Sequence, residues 1–182
     1  MNLPTLGRFV VPDIVATHFH IHEGERVADF GAGSGFYIPL LSAVVGPSGR
    51  VFACEIQRPL VEKLGSFARS KGLGNVDPLW CDLEAVRGIK IADQALDAAI
   101  LVNTLFQLDN KDAAVTEMAR TLKHHAVMHV IDWSESFGGL GPAVGSVVTK
   151  DAAIALFESH GFQFEREYPA GEHHYGLAFR VL

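Results

Sequence analysis

The chain is predicted to be α/β, with a Rossmann-like, doubly wound, mainly parallel sheet, on three observations. Short apolar runs alternate with amphipathic runs along most of its length, the pattern of strands joined by crossover helices. A glycine-rich stretch, VADFGAGSGF at residues 27–36, stands between the first strand-like run and the first helix-like run. At the C-terminus, FQFEREY and HYGLAFRVL are separated only by PAGEH, which predicts an antiparallel hairpin.

Each element follows from its residues. RVADF (26–30) is a buried strand, and the glycine loop after it opens into FYIPLLSAVVG, a helix that Gly46-Pro47 ends. GRVFACE (49–55) is the second strand. In the run that follows, Leu60, Leu64, Phe67 and Ala68 recur at helical spacing and Gly72 marks the stop. NVDPLWCD (75–82) is a third strand, placed at a sheet edge because Pro78 lacks a backbone donor. LDAAILVNTLFQL (96–108) holds the fourth strand, and Val115, Met118, Ala119 and Leu122 form one face of the next helix. AVMHVIDW (126–133) is the fifth strand, and SFGGLGPAVGS (136–146) reads as a long flexible loop at the sheet's carboxyl edge. Thr149 and Asp151 cap and charge the start of a last helix that Gly161 terminates.

At 182 residues, 48% apolar and 20% charged, the chain predicts a single domain over 1–182 with residues 1–24 as an N-terminal cover, where Pro12 suits a first helical position. The formal net charge of -6 argues against nucleic acid or anionic lipid as partner. Cys54 and Cys81, the two cysteines, fall at strand ends and read as small apolar groups, not as a disulfide or a thiolate metal cage. Neither a signal-peptide pattern nor a run of membrane-spanning length is present, so the expectation is a cytoplasmic protein.

Three alternate glycines, Gly31, Gly33 and Gly35, leave backbone bare where a ligand approaches. A dinucleotide fingerprint would need a small residue where Phe36 stands, so a nicotinamide enzyme is the weaker reading. Glu55 ends the second strand, where a carboxylate can accept from both hydroxyls of a ribose; a solvated strand end is the alternative.

With Asp29 before the Gly-x-Gly-x-Gly motif, the acid Glu55 and the C-terminal hairpin, the chain resembles the class I S-adenosylmethionine-dependent methyltransferases. Among them it is most similar to the small enzymes of ubiquinone and menaquinone biosynthesis. The resemblance runs from Val27 onward and implies a seven-stranded sheet in the order 3-2-1-4-5-7-6 with the last strand antiparallel. It implies S-adenosylmethionine as cofactor, held by Asp29, Gly31, Ala32, Gly33, Gly35, Glu55, Ile56, Asp82, Leu83 and Asn103. Within that set Asp82 takes the adenine edge with Leu83 over the ring, and Asn103 faces the methionine moiety. The resemblance also implies that Asp29 contacts the methionine end indirectly or through the hydrogen bonds of its loop; Asp82 otherwise reads as an ordinary turn aspartate, and Asp29 as a local turn stabiliser. His124 and His125 stand where relatives carry a Pro-Gly-Gly turn.

Methyl transfer from a sulfonium demands positioning more than proton transfer, so the catalytic residues are less legible than the cofactor site. Asp132, after the fifth strand, and His173, in the hairpin beside His174, are the candidate bases for an acceptor that must lose a proton. His18, His20 and His22 alternate, but no carboxylate or thiolate completes a metal pattern with them, and no metal is expected. The function expected is methylation of a small-molecule acceptor, with RNA or protein methylation, or cofactor binding without catalysis, as alternatives. Nothing in the sequence indicates an oligomeric state.

Overall fold

The computed structural model describes residues 15–137 and 141–182. Residues 1–14 of the expected cover, including Pro12, and residues 138–140 of the expected loop lie outside that description.

One seven-stranded sheet organises the described residues. Its strands are β1 (Arg26–Phe30), β2 (Arg50–Glu55), β3 (Val76–Trp80), β4 (Leu96–Val102), β5 (Leu122–Trp133), β6 (Phe162–Pro169) and β7 (His174–Val181). They lie in the order β3-β2-β1-β4-β5-β7-β6, with β7 antiparallel to both neighbours and the other pairings parallel. The order reverses at β1: the chain goes on to β2 on one side and later to β4 on the other, which opens a crevice beyond the carboxyl ends of these strands. Because β7 runs the other way, its first residues reach that same edge, His174 opposite Trp133 and Tyr175 opposite Asp132.

Among the described residues, four helices cover the two faces. On one side α1 (Ile38–Val45) and α2 (Arg58–Ser70) bury Ile38, Leu41, Leu64 and Ala68 against Val27, Val51 and Ile100. On the other, α3 (Lys111–Thr121) and α4 (Lys150–Glu158) bury Val115, Met118 and Phe157 against Phe30, Met128 and Phe179. With both faces covered, residues 27–30 of β1 are all buried, as the continuous apolar run requires. The caps read from the sequence are formed: Thr149 Oγ1 accepts from Ala152 N at 3.2 Å, and Gly161 takes a left-handed φ of 84°. Asn110 caps α3 in the same way, its Oδ1 accepting from Ala113 N at 3.1 Å.

One boundary differs from expectation. β5 starts at Leu122, straight from the end of α3, and not at residue 126. Its pairing with β4 jumps from Leu96–Leu122 to Ala98–Val127, so the extra residues bulge out, with His125 at a left-handed φ of 64°. The turn expected at His124-His125 is this bulge; Arg180 holds it by donating to the His125 carbonyl at 2.9 Å.

Residues just before β1 are fastened to the α1 side of the sheet. Val15, Phe19 and Ile21 are buried there, and the His129 ring bonds the Phe19 carbonyl through Nε2 at 2.7 Å while Nδ1 faces the Tyr168 hydroxyl at 3.3 Å. Burial pushes the His129 pKa down to about 3, so a neutral ring carries this bridge.

At the opposite end of the sheet Asn75 joins β3 to α1. Its Nδ2 donates to the Ser42 and Gly46 carbonyls at 2.9 and 2.8 Å, and its Oδ1 accepts from Ser42 Oγ at 2.5 Å. Asn75→Ala should therefore lower unfolding free energy by about 1–3 kcal/mol in urea titrations, because the Ser42 and Gly46 carbonyls lose their donor.

Candidate functional site

The glycine loop opens a cleft of about 450 Å³ at the carboxyl edge of β1, β2, β3 and β4. Just past β1, the Gly31 and Ala32 amides both donate to the Cys54 carbonyl at 2.9 Å, and Gly35 N donates to Ala32 O at 2.8 Å, curling the loop tightly. The glycines then divide their work. A Cβ on Gly31 would run into the Thr104 side chain, whereas one on Gly33, at φ 53°, would meet nothing nearer than 3.9 Å and would project into open space. Gly33 is the bare surface of the cleft.

Gly35 is a correction to the sequence reading. It does not line the cleft; a Cβ there would approach Leu64 Cδ2 to 2.6 Å. Its bareness lets α2 pack against the loop.

Glu55 ties this loop to β2. Its Oε2 accepts from Gly33 N at 3.0 Å and its Oε1 from Gln57 N at 2.8 Å, fixing a buried carboxylate at the cleft wall. Each oxygen keeps a further lone pair, which is the acceptor geometry a vicinal diol requires. Asp82 combines both readings made of it: it lines the cleft, and its Oδ1 accepts from Glu84 N at 3.0 Å in a local turn. Leu83 is buried beside it. Ile56, 53% exposed, and Phe36, 65% exposed, leave apolar surface on the rim.

Asp29, Ala32 and Asn103 also line the cleft. Asp29 is only 3% exposed, and among the described residues no hydrogen bond reaches its carboxylate, so the turn-stabilising role is not the one it has here. Burial, and then the Glu55 charge, push its pKa up to about 7. Asn103 has a left-handed φ of 52°, and its Oδ1 is buried without a partner. The sequence reading missed Tyr37, Thr104, Gln107 and Leu108 in the lining. They sit on a helix entry and an irregular turn, where no periodicity marks them.

The lining has a one-sided charge. Asp29, Glu55, Asp82 and Glu84 contribute carboxyl groups, and among the described residues that line it there is no lysine, arginine or histidine. Such a cleft favours a cation and disfavours a pyrophosphate.

Neither candidate base belongs to this lining. The Asp132 carboxylate turns into the fold, where it accepts from Phe106 N at 3.1 Å and Trp133 N at 2.7 Å and so holds the 3₁₀ turn Leu105–Gln107. Burial raises its pKa to about 6 against the pull of those amides. His173 bonds Glu135 Oε1 through Nδ1 at 2.6 Å and stacks on Phe137 at 3.8 Å. His174 packs on Trp133, held neutral by burial with its pKa near 4. His18 stacks on Tyr168 and His20 faces Arg166, so these two meet a guanidinium rather than a common centre.

A second hollow of about 550 Å³ adjoins the cleft, sharing Gln107 and Leu108 with it and bounded by Phe106, Lys111, Gly141 and Pro142. Among the described residues no helix is long and apolar enough to cross a membrane.

Known proteins are similar to this chain over the same region. A family model described as a methyltransferase domain matches residues 27–125. A ubiquinone/menaquinone biosynthesis C-methyltransferase of Shewanella pealeana is 30% identical over 143 residues, covering 71% of this chain and 55% of that protein; the chain thus spans about half the length of such a relative. The structure is similar to that of a SAM-dependent methyltransferase from Aquifex aeolicus, with TM-score 0.88 and 26% identity over 99% of this chain and 94% of the other. It also shares its fold with geranyl diphosphate C-methyltransferase from Streptomyces coelicolor, at TM-score 0.78 and 11% identity, over 94% and 79% of the two chains.

Two outcomes follow from the site's geometry. The folded chain protonates Asp29 more readily than the unfolded chain does, so its contribution to stability is favourable near pH 4 and is lost as pH rises to about 7. Asp29→Asn should remove that loss and raise stability at neutral pH by a few kcal/mol, read from urea unfolding of both proteins across this range. Asp132→Ala should free the Phe106 amide, speeding its hydrogen exchange and costing about 1–3 kcal/mol of stability.

Proposed function

This chain belongs to the class I S-adenosylmethionine-dependent methyltransferases, and from that premise we propose that it binds S-adenosylmethionine in the cleft and methylates a small-molecule acceptor. The observation that carries the reading is the cleft's composition: a bare Gly33 with open space before it, four carboxyl-bearing side chains and no cationic lining residue. The cofactor's sulfonium and ammonium suit such a wall. A nicotinamide dinucleotide would set its phosphates against Asp29, Glu55, Asp82 and Glu84, which weighs against that alternative.

When bound, S-adenosylmethionine supplies a methyl group on a sulfur that is already a leaving group. The protein's own residues orient and enclose. Glu55, pinned by Gly33 N and Gln57 N, accepts from the ribose hydroxyls; Ile56 and Leu83 cover the adenine, and Asp82 accepts from its amine. Gly31 and Ala32 keep the loop low, and Asn103 offers its unpartnered Oδ1 to the amino-acid end. Asp132 acts by holding the turn behind Asn103–Leu108 rather than by taking a proton in the cleft.

The acceptor enters through the adjoining hollow over Phe106 and Lys111. The role of the Shewanella relative in ubiquinone and menaquinone biosynthesis puts small quinol-type molecules first among acceptors to test. The net charge of -6 weighs against RNA.

Calorimetry should detect S-adenosylmethionine and its demethylated product binding at one site per chain, and methyl-tritiated cofactor should label an acceptor from a quinol panel. Glu55→Ala should weaken cofactor binding by about 1–3 kcal/mol, roughly 5- to 150-fold, as charge-assisted bonds are lost. Absence of binding to the folded wild-type protein would refute the reading; binding without any transfer would favour a non-catalytic module.

A further inference from the structure

The cleft and the hollow beside it differ in charge. Four carboxyl-bearing side chains and no cation line the cleft, whereas the hollow has Lys111 as the one cation among its described lining residues. Lys111 is the first residue of α3 and is half-buried. Its Nζ donates to the Leu108 carbonyl at 2.6 Å, and Leu108 lines both cavities. The ammonium therefore stands at the boundary between them.

That ammonium has donors to spare. It carries three N–H groups, and the bond to Leu108 takes one of them. Lys123 and Lys150 are paired with Asp97 and Glu167, but among the described residues no carboxylate comes within ion-pair distance of Lys111. Asp132 lies within electrostatic reach, yet burial governs its titration and each of its oxygens already takes a backbone amide, from Phe106 and from Trp133. It does not claim the lysine. Asp109 also lines the hollow, but it is exposed, so water and salt screen its charge more than that of the half-buried lysine. The hollow has room for an occupant, since a Cβ on Gly145 in its lining would meet nothing within 4 Å.

From this we infer that Lys111 is the specificity residue of the acceptor site, and that the acceptor carries an oxyanion, a carboxylate or a phosphate, which pairs with the Lys111 ammonium. The inference rests on the cofactor reading above and deepens it by naming the charge of the acceptor. The four acids of the cleft repel an oxyanion, so the same lysine fixes which end of the acceptor goes in first. The anionic end stays in the hollow and the uncharged, nucleophilic end passes Leu108 into the cleft. Phe106 and Pro142 give the hollow apolar surface for the body of the molecule. Cleft and hollow thus select opposite charges, a sulfonium on one side of Leu108 and an oxyanion on the other.

The test is calorimetry on the full chain saturated with S-adenosylhomocysteine, near neutral pH, where the acidic probes are ionised. The probes are meta-hydroxybenzoate beside its uncharged amide, meta-hydroxybenzamide, and para-hydroxyphenyl phosphate beside hydroquinone. Expected is binding of at least one anion about tenfold tighter than that of its neutral partner, an advantage that shrinks as salt rises. Which anion shows it identifies the group. Lys111→Met should erase the advantage and Lys111→Arg should keep most of it, with affinity for S-adenosylhomocysteine unaltered in both. A merely structural lysine would move an acid and its neutral partner alike. Equal binding of anions and neutral partners, no binding of either anion, or a preference that survives Lys111→Met would overturn the inference while leaving the cofactor reading intact. Loss of S-adenosylhomocysteine affinity in Lys111→Met would assign the lysine to the cofactor's own carboxylate and overturn it as well. Failure of S-adenosylhomocysteine to bind the wild-type protein would overturn both.

Discussion

The clamp between Glu55 and the amides of Gly33 and Gln57 is the constraint on which the cleft depends. It ties the end of β2 to the loop after β1, and so converts two neighbouring strand ends into one wall with a carboxylate in it. The loop clears Thr104 because Gly31 has no side chain, and α2 closes behind it because Gly35 has none either, whereas a Cβ on Gly33 would project into open space. A backbone held in left-handed conformations at three glycines would be a liability in a chain that needed only a turn. Here the same conformations expose the Gly33 backbone to the space a ligand would take.

The cleft is built against the stability of the empty fold. Asp29 is buried without a donor and close enough to Glu55 that its proton is retained to about neutral pH. Tyr37 and Asn103 add buried oxygens with nothing to accept from. Groups in this state cost the folded chain; Tyr37 and Asn103 line the cleft, while His174 and Tyr175 carry such atoms at the start of β7.

The far wall is organised by groups that point away from the cleft. Asp132 uses its carboxylate to fix the turn after β4, and thereby sets Asn103, Thr104, Gln107 and Leu108 along the opening. His173 and His174 are packed against Phe137 and Trp133, making an aromatic corner at the start of β7. An acid and two imidazoles near the cleft are thus taken up in packing and turn contacts and do not line it. The antiparallel course of β7 brings the two imidazoles to this edge, since a parallel strand would have delivered its other end.

What the sequence by itself determined was the sheet, its order of elements and the identity of the loop. These are carried by local patterns: apolar periodicity in the helices, continuous apolar runs in the strands, Pro78 at the edge strand, and glycine spacing after β1. That Asp29, Gly33, Glu55, Asp82 and Asn103 would meet in one cleft was legible because each lies at a fixed offset from a strand end, and strand ends of a parallel sheet share one edge. Only the tertiary structure decided which way side chains near that edge turn. Gly35 sits one step from Gly33 in the motif's alternation yet serves packing, because Leu64 comes from a helix distant in sequence. Asp132 looked like a base because it ends a strand, but besides its neighbour Trp133 N it accepts from Phe106 N, in a turn 26 residues away. Tyr37 looked like an ordinary aromatic at a helix start, and its lone buried hydroxyl is visible only once Phe19, Phe36 and Asp29 surround it. Such outcomes depend on contacts between segments that no local pattern couples, so the chain's sequence marks where the site is and the packing of the folded chain assigns what each residue does there.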